Sequence, residues 1–201
     1  RKFKAIYKFF TPTHLLNLPY AGDHNTLNER FYKELLYIMG LREVAESGIR
    51  KIVRIQEQKR EPNSLFEQTF ALLDDYTFDS LSQREETAMG LIMVWVNRIL
   101  FLKLLESQLV RFNGGDTKFA FLNNIHDFNE LHTLFFSVLA IPVDERSHEI
   151  AERFRNVPYL NSSLFELSDV ERNYFSVNSL NNGNIKLMQG TVVKDHRGRV
   201  A

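Results

Sequence analysis

The chain has 201 residues, 44% of them hydrophobic, and no cysteine, so it can bury one sizeable core but can form neither disulfides nor thiolate metal sites. Lysine plus arginine and aspartate plus glutamate both number 25, a formal charge of zero that argues against a domain gripping nucleic acid by charge excess alone. The start at Arg1 and the end on Gly198-Arg199-Val200-Ala201 read as those of a fragment of a longer protein.

Lys2, Lys4 and Lys8 are spread through an aromatic segment instead of preceding an apolar run, which is not the pattern of a signal peptide and fits a cytoplasmic protein. The first forty residues read as short helices broken by turns, with Thr11-Pro12 opening one and Pro19 to Asp23 forming a loop. Thr26-Leu27-Asn28-Glu29 has the capping-box pattern and starts a helix through Phe31, Leu35 and Ile38 that stops at Gly40. Alternating apolar residues between Ile49 and Ile55 suggest a short strand. Glu57 to Pro62 reads as an exposed charged turn. A helix from Ser64 to about Leu73 then buries Leu65, Phe66, Phe70 and Leu73, and Asp74 to Ser80 connects it onward.

The dominant element is a helix from Ser82 to about Phe112, opened by a second capping box at Ser82-Gln83-Arg84-Glu85 and closed at Gly114-Gly115. It is apolar almost all round between Leu91 and Leu105, so Leu91, Trp95, Leu102 and Leu105 should lie in the core with the other helices packed around them. Asn97, Arg98 and Lys103 make that stretch too charged to span a bilayer comfortably, and no membrane association is expected. Shorter helices follow at Thr117 to Asn124, Asp127 to Leu139, Ser147 to Arg155 and Ser162 to Leu167. In the tail, Asn181-Asn182-Gly183-Asn184 lies between the apolar runs Tyr174–Leu180 and Ile185–Val193, a hairpin signal. The expected fold is therefore mainly α: a multi-helix bundle around a long central helix (about 82–112), with a small C-terminal β-hairpin.

Few residue patterns carry chemistry. Asn156-Val157-Pro158-Tyr159 compares with the Asn-Pro-Pro-Tyr element of amino-methyltransferases, which holds the target amino group and stacks on a flipped base. The Gly-rich turn after a strand that would seat their cofactor has no counterpart, because Gly114-Gly115 follows a helix. Glu57-Gln58-Lys59 has the Glu-x-Lys spacing of metal-dependent nucleases, with Asp23 as the nearest upstream carboxylate, but a charged turn beside Pro62 is the simpler reading. The six histidines show no i,i+4 pair for zinc. Arg98, inside an apolar helix, needs a partner: Glu106, a carboxylate on another helix, a DNA phosphate or a neighbouring domain.

Three stretches together resemble one family. Phe31 to Leu41 (FYKELLYIMGL) is similar to the segment after the nuclease region of single-chain type II restriction enzyme/adenine methyltransferases. Val96 to Glu106 (VNRILFLKLLE) resembles their long connector helix, and Val157 to Glu166 (VPYLNSSLFE) resembles a Pro-Tyr-Leu-Asn-Gly-Gly-Leu-Phe-Glu element in which Ser162-Ser163 here replace Gly-Gly. The resemblance implies a helical connector domain over 1–170, a β-hairpin extension over 171–201 leading into the next domain, and no catalytic, cofactor or metal residues in this fragment. It implies S-adenosylmethionine and Mg for the parent protein. DNA, reached through that parent, and the adjacent nuclease and methyltransferase domains of the same chain are the implied partners. Arg98, Asn156, Tyr159 and Asn161 are the candidates for DNA or interdomain contact. The alternatives are a stand-alone helical protein-interaction domain using Phe-rich surfaces and, on Glu57 and Lys59, an autonomous nuclease.

Overall fold

The computed structural model describes residues 29–191. The Thr26 capping box and the elements expected before it lie outside the described residues, as does the end of the tail. Helix α1, Glu29–Met39, stops where expected, at Gly40, whose φ of +76° is open to glycine at little cost. The chain then forms an antiparallel hairpin of β1, Leu41–Glu46, and β2, Ile49–Arg54, with Leu41 opposite Arg54 and Glu46 opposite Ile49. Its two-residue turn is Ser47-Gly48, both at positive φ (52° and 79°), the backbone that matches the twist of paired strands.

Among the described residues this hairpin is the only sheet, so the sheet lies near the beginning of the chain and not in the tail. The expected C-terminal hairpin does not form through Thr191. Instead Asn181 accepts a hydrogen bond from the Gly183 amide through its side chain, and Asn182–Asn184 winds into a 3-10 turn. Gly183 does not adopt the positive φ that an Asn-Gly hairpin turn needs. The preceding run forms another 3-10 turn, Val177–Ser179, which buries Val177 and Leu180 in the core.

Helix α2, Leu65–Leu72, is capped by Ser64 and continues into a 3-10 turn, Leu73–Asp75. The central helix α3, Leu81–Phe112, begins one residue earlier than expected. Its N-cap is Ser80, whose side chain accepts from the Gln83 amide, and not Ser82. Gln83 in turn accepts from the Asp79 amide through its side chain, so the cap is built from residues upstream of the expected box. By length and composition α3 could cross a bilayer. In this fold it buries Leu91, Ile92, Trp95 and Leu102 against Phe66, Leu73, Leu134, Phe135 and Phe165, while Leu105 packs at the margin of that core.

Two 3-10 turns, Thr117–Phe119 and Phe121–Asn124, replace the first helix expected after α3. Helix α4, Phe128–Thr133, is capped by Asp127 and widens into a π-helical stretch, Leu134–Leu139, in which Leu134, Phe135, Val138 and Leu139 are all fully buried. Helix α5, His148–Arg153, capped by Ser147, and the 3-10 turn Ser163–Phe165 pack on the π-helical stretch, and helix α6, Asp169–Asn173, packs on α3.

The hairpin is held to the bundle by Arg54. Its guanidinium donates to both carboxylate oxygens of Glu67 on α2 and to Glu85 on α3, and it lies 4.1 Å from the centre of the Phe70 ring.

Candidate functional site

Arg98 and its partner Glu171 are the most completely enclosed ion pair among the described residues, with 1% and 0% of their side chains exposed. Nη1 donates to Glu171 Oε1 at 2.6 Å and Nη2 to Oε2 at 2.8 Å, a bidentate pair. Nε donates to the Leu164 carbonyl and Nη2 also to the Glu166 carbonyl, both at 2.6 Å. Glu171 further accepts from Trp95 Nε1 (2.9 Å) and from the Ser168 amide and hydroxyl. Burial alone would raise the Glu171 pKa; the hydrogen bonds from Arg98 and Ser168 outweigh it and hold the carboxyl below its ordinary value. His132, edge-on to Phe136 nearby, is pushed down by burial.

Of the partners open to Arg98, the structure therefore selects a carboxylate on another helix. Glu106 is engaged elsewhere, accepting from Lys103 Nζ and from the Leu122 amide. Sequence reasoning missed Glu171, although Ser168-Asp169-Val170-Glu171 has the capping-box spacing and forms that box at the start of α6.

The other three candidates lie on the segment just before the Leu164 and Glu166 carbonyls that Arg98 holds. Asn156 lines a cleft of about 390 Å³ with Lys118, Arg153 and Arg155, and Glu152 is the one acid among the lining residues. Its amide donates to the Lys118 carbonyl at 3.4 Å. Tyr159 is 38% exposed and does not line that cleft; Asn161 is exposed. Asn156 and Tyr159 thus do not share that cleft, whereas an amino-methyltransferase element needs both at one base. The segment is fixed by backbone contacts: the Leu160 amide donates to the Leu139 carbonyl, and Arg146 donates to the carbonyls of Ile141 and Val157. Arg146 is buried without a carboxylate beside it, a positioning residue that sequence reasoning also missed. Its signal was one cation inside Ile141-Pro142-Val143-Asp144-Glu145-Arg146.

A larger groove of about 630 Å³ opens between α1 and the hairpin, lined by Tyr32, Leu36, Tyr37, Leu41, Ile55 and Met188. Glu57 and Lys59 sit on an exposed 3-10 turn, and among the described residues no three His, Asp or Glu side chains converge as metal ligands. Gly114 and Gly115, both at positive φ, terminate α3 and open no cradle after a strand, so these residues do not fit S-adenosylmethionine.

A family model for a domain of unknown function, DUF7814, matches residues 24–201, nearly the whole chain. The chain belongs to the DUF7814 family. No curated protein and no solved structure matches it. The match reaches from before α1 to the end of the chain, so this DUF7814 region contains the hairpin, the Arg98 pair and the Asn156 cleft together.

Proposed function

We propose that this DUF7814 chain is the non-catalytic helical connector of a bacterial restriction-modification protein, a type II restriction enzyme whose methylase portion modifies adenine in DNA. On this reading residues 1–170 are the connector and residues 171–201 lead into the next domain. S-adenosylmethionine and Mg act in the rest of the parent protein. One observation carries the reading: Arg98, in the stretch that resembles the connector helix, donates to the carbonyls of Leu164 and Glu166, in the stretch that resembles the Pro-Tyr-Leu-Asn element. Two segments that resemble the same family far apart in sequence are one physical unit here. The cleft beside Asn156, with Lys118, Arg153 and Arg155, is where a DNA phosphate would be held, by charge and without base reading.

Deleting the gene in its host and mapping N6-methyladenine across the genome tests the proposal. Loss of methylation at one specific sequence supports it, and an unchanged methylation map overturns it. Replacing Arg155 by Glu in the full-length protein should weaken DNA binding at all sequences and flatten its salt dependence, with a slope change of about one.

The second reading, a helical protein-interaction domain, is favoured by the apolar residues that α3 leaves exposed, among them Leu104 at 67% and Phe112 at 79%.

A further inference from the structure

The charges that line the groove between α1 and the hairpin are matched to one another, with one exception. Lys33 pairs with Glu29 at 2.7 Å, and Glu43 accepts from the Tyr32 hydroxyl at 2.7 Å and pairs with Arg50 at 3.3 Å. Arg42, partly buried on β1, also lines the groove, and its guanidinium has no partner among the described residues. Its Nε is enclosed without an acceptor, an arrangement that costs stability unless something from outside the chain accepts from this side chain. Tyr37, on the same lining, likewise has a hydroxyl with no partner among the described residues.

The rest of the lining is apolar. Leu36 and Leu41 belong to the buried core, and Ile55, just after β2, and Met188, from the tail, are partly buried beside them. At about 630 Å³ the groove falls within the roughly 300–1,000 Å³ of small-molecule sites, which combine an apolar lining with a few polar groups that orient the ligand.

The charge balance selects the head group. Lys33, Arg42 and Arg50 face only Glu29 and Glu43, an excess of one positive charge. A carboxylate cancels that excess, and its two oxygens fit the planar guanidinium fork. A phosphate monoester, at about −1.5 to −2, would bring more negative charge than Arg42 offsets, beside two carboxylates. An amine would leave Arg42 unmatched.

We propose that this groove binds a small organic monocarboxylate with an apolar body, its carboxylate held by Arg42 and Tyr37 and its hydrocarbon lying against Leu36, Leu41, Ile55 and Met188. The groove shares no lining residue with the cleft beside Asn156, so the proposal does not rest on the DNA-modification reading.

Isothermal titration of the purified chain tests it, with decanoate for an acyl body and 4-phenylbutyrate for an aryl one. At least one of the two should bind at one site per chain, and decylamine and decyl phosphate should bind roughly tenfold more weakly or worse. Arg42→Met should weaken binding of the carboxylate about tenfold while leaving the unfolding midpoint of the unliganded protein unchanged or raised, because the donor it removes has no acceptor. Tyr37→Phe should weaken binding severalfold. With no native cysteine, Met188→Cys places a single thiol in the groove, and the bound carboxylate should slow its alkylation. The proposal is overturned if neither carboxylate binds, if several bind per chain, if decylamine binds as tightly, if Arg42→Met binds unchanged, or if the Met188→Cys thiol is not protected.

Discussion

A Cβ placed on Gly40 would stand 2.3 Å from the Oγ of Ser64 and 2.9 Å from its Cβ. The end of α1 is therefore pressed against the N-cap of α2, and only glycine satisfies both the close approach and the φ of +76°. Gly40→Ala should cost about 2–4 kcal/mol, combining overpacking with left-handed backbone strain. Gly48→Ala, at a similar φ of +79° but facing open space, should cost only about 1–2 kcal/mol. Urea denaturation of the two variants checks the difference.

Removing one partner of the Arg98–Glu171 pair leaves the other charged and enclosed. Arg98→Met and Glu171→Leu should each cost about 3–5 kcal/mol, and the double variant should cost less than the two together. Some loss should remain in the double variant, because the Leu164 and Glu166 carbonyls lose their donor and Trp95 Nε1 its acceptor. A double-mutant cycle by chemical denaturation gives the coupling directly.

Trp95→Ala should destabilise by about 3–5 kcal/mol, the usual cost of deleting a large buried ring. Trp95→Phe retains most of the packing and should cost less, with the residual loss reporting the hydrogen bond to Glu171. Thermal unfolding of the two variants side by side separates ring volume from hydrogen bond.

Acid should lower the stability of the protein in two stages. His132 has a depressed pKa in the fold, so the unfolded chain takes up its proton first and stability falls as pH drops below the ordinary value of 6.5. Glu171 is also depressed; its contribution is complete above 4.5 and is lost as pH falls further through the folded value. His132→Gln should remove the upper stage and leave the lower one. Unfolding midpoints measured between pH 8 and pH 3 test the order.

Much of the helical framework was legible because caps and stops are local. Ser64, Asp127 and Ser147 cap helices where hydroxyl or carboxylate precedes an apolar run, and Gly40 ends one. Turn chemistry was harder: Ser47-Gly48 and Asn182-Gly183 both look like hairpin turns, and only the first reaches positive φ at both positions. The difference comes from what flanks them, since Val177 and Leu180 gain more from the core than from a ladder. The site was half legible. A charge inside an apolar helix announces that Arg98 needs a partner, but nothing local points to Glu171 across 73 residues. Of the cations around Asn156, Arg153 and Arg155 are its neighbours in sequence, but Lys118 joins them only through folding, from 38 residues upstream.

That same separation of 73 residues sets a timetable for the nascent chain. At roughly 5–20 residues per second, Glu171 is made about 4–15 s after Arg98. During that interval the most apolar helix of the protein carries an unmatched cation. The newborn α3 is thus held short of its final burial until α6 has been made, and a protein truncated between them would present that helix to chaperones and proteases as unfinished.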